Sequence, residues 1–233
     1  MSHVIHSYKK LKMKRRATFQ LAPTAKKQRA VLAQSVGIAR IPQKTEEKKN
    51  IDVLTTTAIV AGTTTSSLFL LNGVDDGALP TNRIGRRITM TSLEIRWLGS
   101  FAATTAGSSP LRLVVVYDRQ SNAVAPLATD VFQIDQISSM MNLSNGRRFK
   151  VIIDELVENV SSAGPSGWNR KLWRDFTAKG TKPGLEVTFN TASTATISSI
   201  QTGSLYAFVW QNGNLITAAP TQALYSRVRF VDN

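Results

Sequence analysis

The 233-residue chain has no cysteine, and its only two histidines, His3 and His6, stand at its first turn of sequence. Without cysteine there is no disulfide framework, no thiolate zinc site and no thiol nucleophile. A Ser-His-Asp triad would have to borrow a histidine from the extreme N-terminal tip, where order is least expected. No apolar run approaches the roughly 18 residues that a membrane helix needs, so no membrane insertion is expected. The first residues are polar and basic with no apolar stretch behind them, so no secretory leader is expected. Acidic side chains are also scarce: 15 Asp and Glu stand against 29 Lys and Arg, a formal charge of +14. These absences leave no metal, cofactor or catalytic constellation to propose, and the chain reads as non-enzymatic.

What is present is unevenly placed. Residues 1–50 hold thirteen basic side chains and only Glu46 and Glu47 as acids, a net +11, whereas residues 51–233 carry sixteen basic and thirteen acidic groups, a net +3. The first stretch has no tryptophan and too few large apolar residues to build a core, so it reads as a disordered basic arm, residues 1–50, ahead of a nearly neutral body, residues 51–233. One-sided charge of this density points to a polyanion, and Lys9, Lys10, Lys12, Lys14, Arg15, Arg16, Lys26, Lys27 and Arg29 are its expected nucleic-acid contacts. Lys14-Arg15, a ten-residue spacer and Lys26-Lys27-Gln28-Arg29 also fit a bipartite nuclear import signal, with a host import receptor as the partner that would read it.

The body reads as β throughout. Eight strands are expected near residues 51–60, 87–101, 111–118, 149–157, 171–178, 185–190, 204–210 and 224–231, with a short extra strand at 68–71 and one short helix near 130–137. Leu224, Ser226, Val228 and Phe230 alternate with Tyr225, Arg227, Arg229 and Val231, and Leu93, Ile95 and Trp97 alternate with Glu94, Arg96 and Leu98. Val114-Val115-Val116 is apolar on both faces, which predicts a strand covered on both sides. Eight strands with loops of mixed length fit an all-β, eight-stranded jelly-roll sandwich. Trp97 and Trp210 fit the core. Trp168, in Gly164-Pro165-Ser166-Gly167-Trp168-Asn169-Arg170-Lys171, reads as a loop aromatic that anchors the loop, seats an interface or stacks an unpaired base. Arg227 and Arg229 share the polar face of the last strand and extend the nucleic-acid surface if that face looks toward the genome. Arg86, Arg87, Arg147, Arg148 and Lys150 could touch phosphate or pair with acids of another subunit. Gly85 is expected to permit a tight backbone approach, Asp118 and Arg119 to close a turn, and Asp154 and Glu155 to point to opposite faces.

Three stretches carry a resemblance. They are Arg83-Ile84-Gly85-Arg86-Arg87 leading into Ile88–Trp97, Val116-Tyr117-Asp118-Arg119-Gln120-Ser121-Asn122, and Arg147-Arg148-Phe149-Lys150 leading into Val151–Glu155. In this order behind a basic arm, they resemble capsid proteins of the small circular single-stranded DNA viruses of eukaryotes, the circovirus-, nanovirus- and geminivirus-like group. That resemblance implies a jelly roll, self-assembly into an icosahedral virion, packaging of single-stranded DNA, and assembly in the host nucleus. It implies a homo-oligomer of roughly 60 copies, the smallest closed icosahedral set. Some geminivirus-type coat proteins carry Cys and His for zinc, and this chain has no Cys. Phosphate chemistry does not separate DNA from RNA. The alternatives are therefore a coat protein of a small single-stranded RNA virus or satellite, and a cellular β-sandwich that binds nucleic acid without assembling. At roughly 60 copies, arms of +11 bring about 660 positive charges to as many phosphates. The 233 codons of this chain alone need 699 nucleotides.

Overall fold

The chain alternates between two sheets because its alternating strands each have one apolar face to bury. A computed structural model describes residues 48–58, 65–101, 110–157, 166–177, 183–211 and 221–232, all within one compact unit, Glu46–Asn233. Ten strands are present among them: β1 (Lys48–Ala58), β2 (Ser67–Leu70), β3 (Arg87–Phe101), β4 (Leu111–Asp118), β5 (Phe149–Val157), β6 (Ser166–Asp175), β7 (Leu185–Phe189), β8 (Ile200–Thr202), β9 (Ser204–Gln211) and β10 (Thr221–Asp232). One sheet runs β1-β10-β3-β7-β8, with β6 also on the β3 edge; the other runs β2-β9-β4-β5. All pairings are antiparallel.

The pairings nest. The first strand pairs with the last (β1 with β10), the second with the next to last (β2 with β9), β3 with β6, and β4 with β5. A long antiparallel ribbon wound on itself so that β10 also meets β3, and β9 also meets β4, is the jelly roll. β7 and β8 are additions: β6 takes β3 from Ser92 to Phe101, and β7 takes the remaining Arg87–Met90.

The main core lies between the sheets. Leu111, Leu113, Val115 and Tyr117 of β4 and Leu205, Ala207 and Val209 of β9 face Leu93, Ile95, Trp97, Leu224, Val228 and Phe230. At roughly 1.5–3 kcal/mol per buried large apolar side chain, this face is the main source of stability. The buried set on β3 changes parity, from Ile88 and Met90 to Leu93, Ile95 and Trp97. A register shift opposite Arg229/Phe230 leaves Thr91 unpaired and absorbs that change, so both runs face inward. The second sheet is buried on its outer side too. Val114, Val116, Tyr206, Phe208 and Trp210 meet Val131 and Phe132 from the β4–β5 connection. Phe132 stands edge-on to Trp210 with ring centroids 4.8 Å apart, and the Trp210 Nε1 donates to Asp135 Oδ1 at 2.7 Å. This is the covering that the Val114–Val116 run required.

Several expectations need correction. The strand expected from residue 171 begins at Ser166, so Trp168 is not in a loop. It is buried on β6 and packs edge-on against Trp97 at 5.7 Å, which removes it as a base-stacking side chain. The helix is a single turn, Ala128–Val131, and not residues 130–137. β8 was not expected at all. β1 begins at Lys48, inside the stretch counted as arm, and Lys49 is only 2% exposed. Gly85 has open space where a Cβ would stand, so no tight approach requires it.

Gly203 is where glycine is needed. It lies at φ +87, where the chain leaves β8 for β9 and so changes sheet, and a Cβ there would stand 2.1 Å from the Glu186 carbonyl oxygen. Its N–H donates to Asp118 O at 3.0 Å, and its carbonyl accepts from Asn72 Nδ2 at 2.9 Å. Gly203→Ala is expected to cost about 3 kcal/mol of unfolding free energy, from backbone strain plus overlap, whereas Gly85→Ala should change it by less than about 0.5 kcal/mol. Urea denaturation of both variants checks this; equal midpoints would remove Gly203 as the hinge between sheets.

Candidate nucleic-acid interface

One sheet face has no covering among the described residues. The β4 and β9 strands of the second sheet are buried on both sides, but the outer face of the β1-β10-β3-β6 strands is open. Strand pairing places side chains there in rows. Asn50, Arg229, Ser92 and Asp175 form one row; Asp52, Arg227, Glu94 and Trp173 the next; Leu54, Tyr225, Arg96 and Lys171 the third. The face is therefore a ladder of alternating charge set with two aromatic rings.

The charges are mostly engaged with one another. Arg227 grips Asp52 with both fork nitrogens, Nε to Oδ1 at 2.7 Å and Nη2 to Oδ2 at 2.5 Å. Glu94 is the hub of the other three cations: Arg96 at 3.4 Å, Lys171 at 3.6 Å and Arg229 at 3.8 Å. The Arg229 guanidinium also lies over the Trp173 ring, 5.0 Å from its centroid. The Arg227 hydrogen bond is the main cause holding the Asp52 carboxyl below its ordinary value, against the opposing pull of partial burial. Burial pushes Glu94 up, but Lys171, Arg96 and Arg229 together outweigh it and hold that carboxyl below the usual range. Both acids are thus ionised at neutral pH.

The expected site residues fall into two groups. Lys9, Lys10, Lys12, Lys14, Arg15, Arg16, Lys26, Lys27 and Arg29 lie outside the described residues. Arg227 and Arg229 do share the outer face, each facing an acid of the same chain. Neither Asp52 nor Glu94 was singled out from the sequence, nor were Tyr225 and Trp173. The signal for Trp173 was present: Arg170-Lys171-Leu172-Trp173-Arg174 sets an aromatic among bases on a strand. Among the described residues no group of His, Asp and Glu stands close enough to hold a metal ion.

The three stretches that carried the DNA-virus resemblance serve the fold. Arg83 is 1% exposed; it donates to the Gly85 carbonyl and to Ala192 O at 2.7 Å, and lies over the Phe189 ring at 4.4 Å. Asp118, fully buried, closes its turn by accepting from Gln120 N at 2.9 Å. It also takes both fork nitrogens of Arg148, at 2.9 and 2.8 Å, which joins the second stretch to the third within one subunit. Asp154 and Glu155 diverge as expected, the first to Arg112 and the second toward Arg170.

The Asp52–Arg227 pair makes a pH prediction. A depressed folded-state value stabilises above the unfolded value and is lost as pH falls through the folded one, so this contribution is present at neutral pH and disappears below pH 3.8. The Asp52 carboxyl carbon, followed by NMR, should titrate below 3.8, and Arg227→Gln should return it toward the ordinary value. An unchanged midpoint in the variant would mean that the bridge does not hold in solution.

Comparison with known proteins now bears on this geometry. The family model of the satellite tobacco necrosis virus coat protein matches residues 22–218. The coat protein of maize white line mosaic satellite virus is 30% identical over 121 residues, covering 48% of this chain and 56% of that protein, so the chain spans little more than half the length of this relative. Among solved structures, Desmodium yellow mottle tymovirus aligns over 100% of this chain and 95% of its own at 11% identity and a TM-score of 0.29. Empty heads of turnip yellow mosaic virus align over 82% and 84% at 8% identity and a TM-score of 0.34. The resemblance to circular single-stranded DNA viruses is therefore overturned by the family match, and with it falls the DNA-virus context that favoured nuclear import through Lys14, Arg15, Lys26, Lys27 and Arg29. The matched residues begin within the arm, after Lys9–Arg16, and take in every strand through β9, and the chain belongs to the satellite tobacco necrosis virus coat protein family.

Proposed function

We propose that this chain is the shell-forming coat protein of a small single-stranded RNA satellite, assembling as a homo-oligomer into a closed icosahedral virion and packaging its RNA through the basic arm. The observation that carries this reading is the placement of charge. Residues 1–47 hold eleven basic side chains against two acidic ones, and they join the shell domain at Lys48. On the described outer face, by contrast, the cations stand among acids of the same chain. Arm cations neutralise phosphates and release counterions, which gives affinity without base readout.

Charge arithmetic favours a small genome. In roughly 60 copies, arms of net +9 neutralise about 540 phosphates. An RNA coding for this chain alone needs 699 nucleotides, so the arms neutralise most of a genome that encodes little beyond its own coat.

Two measurements test the reading. Particles purified from expressing cells should be closed spheres by electron microscopy, and the nucleic acid they protect from nuclease should be RNA; protected DNA, or protein that stays monomeric with RNA present, overturns it. Binding of the full chain to an unstructured RNA oligonucleotide should weaken steeply with salt. If about six arm cations contact phosphate, log K should fall against log salt with a slope near −4. Replacing all nine expected contacts, Lys9, Lys10, Lys12, Lys14, Arg15, Arg16, Lys26, Lys27 and Arg29, by Gln should bring the slope toward zero. A full slope in that variant moves the packaging cations elsewhere.

A further inference from the structure

Electrostatic pairing does not account for the two rings on the open sheet face. Tyr225 is 44% exposed and Trp173 45% exposed, although Tyr225 stands on β10, flanked on both sides by paired strands. Leaving large rings in water forgoes the burial that the other strands achieve. Their surroundings are chemically specific. Tyr225 lies directly between Leu54 and Arg96 in the strand register, and Trp173 lies opposite Glu94, with the Arg229 guanidinium on its ring. The two rings are two strands and one residue pair apart, roughly 12 Å from the strand spacing and rise.

A hollow of about 350 Å³ opens beside Tyr225, lined by Leu54, Arg96, Arg227, Asp52 and Glu94 among others. Its two ionised carboxylates repel phosphate from the hollow and can accept hydrogen bonds from exocyclic amino groups. Phosphate is favoured at the rim, where the Arg96 and Lys171 side chains are 62% and 64% exposed. A flat π-face in the hollow, with an anion at the rim, describes one nucleotide of an unpaired strand.

We propose that this face is a stacking platform for single-stranded RNA: Tyr225 and Trp173 each take one unpaired base, and Arg96 and Lys171 take neighbouring phosphates. The proposal rests on the reading of the chain as an RNA-packaging coat protein and adds a base-dependent contact to the arm's phosphate contacts. Arg229 sandwiches the Trp173 ring between a cation and a base. The arm joins this same sheet at Lys48, two residues before Asn50 of the first row, so RNA captured by the arm meets the platform at raised effective concentration.

The test uses the full-length protein and two probes with the same number of phosphates: a twelve-nucleotide oligocytidylate, whose bases carry an exocyclic amino group, and an abasic ribose-phosphate strand of equal length. The arm contributes alike to both, because it contacts backbone. Wild type should bind the base-bearing strand about tenfold or more tighter than the abasic one, as stacking of two bases requires. The double variant Trp173→Ala/Tyr225→Ala should lose that preference, keep its affinity for the abasic strand and keep its melting temperature, whereas Trp173→Phe/Tyr225→Phe should retain the preference. Equal binding of the two probes by wild type overturns the platform, and so does a preference that survives the alanine variant. Should the alanine variant fail to fold, the wild-type probe comparison and the phenylalanine variant still decide. Normal base preference with lost particle assembly would make the face a subunit contact and overturn the proposal. Failure of the arm reading looks different: abasic binding would then be weak and insensitive to salt, whatever the base preference.

Discussion

A single buried ion pair fixes how the chain enters and leaves its shell domain. Lys49 points to the core side of β1, where its neighbours in phase are Ile51 and Val53, and its ammonium reaches Asp232 Oδ2 at 2.9 Å and Asn82 O at 3.1 Å. The same carboxylate faces the Ile84 N–H at 3.3–3.4 Å. One cation therefore joins the first strand, the last strand and the β2–β3 connection. Removing one member of a buried charge pair is strongly destabilising, because the other charge stays in the interior without it. With β1 locked against β10, the outermost pair of the nested ribbon is closed, and the arm has one fixed point of departure. That point lies at the start of the strand that supplies Asp52 and Leu54 to the open face.

The contrast between the two sheets follows from what covers them. Phe132, Val131 and Asp135 cap the β4-β9 surface, and Trp210 and Phe208 are apolar because they meet that cap. The described part of the chain provides no such cover for the β1-β10-β3-β6 surface, and its side chains are correspondingly Asp52, Arg227, Glu94, Arg96 and Lys171. Opposite charges set directly across from one another keep an uncovered sheet face soluble without a large net field. The strong one-sided charge of the chain lies instead in residues 1–47, which have only Glu46 and Glu47 to offset eleven cations.

The strands that sequence reading located to the residue, β3, β4 and β5, are long, strongly alternating or doubly apolar, and bounded by clear turn residues. β6 was misplaced because Gly164-Pro165-Ser166-Gly167 has turn composition, yet Gly167 sits in the strand, where its missing side chain lets the Gly99 carbonyl lie 2.9 Å from a Cβ position. β8 has only three residues and no alternation to detect. The jelly roll was legible from strand count and patterning, but the ladder of the open face was not. Its rows depend on register between strands far apart in sequence, such as Asp52 with Arg227, which no local pattern encodes.

The genome type failed for a related reason. A buried arginine before β3, an acid-led turn after β4 and an arginine entering β5 appear as a linear signature, but Arg83 and the Asp118–Arg148 bridge are devices for closing a jelly roll. A chain that winds the same ribbon meets the same geometric demands: a polar side chain must satisfy carbonyls where connections converge, and a charged pair must lock the β4–β5 turn. Such features report architecture and are silent on the polyanion inside. What bears on the cargo is stoichiometry, since each phosphate brings one charge and each arm a fixed number of cations. A fixed number of cations per subunit limits the length of strand that a closed shell can neutralise, whichever sugar the strand carries. Such a limit bears on how much a packaged strand can encode, which motif order does not.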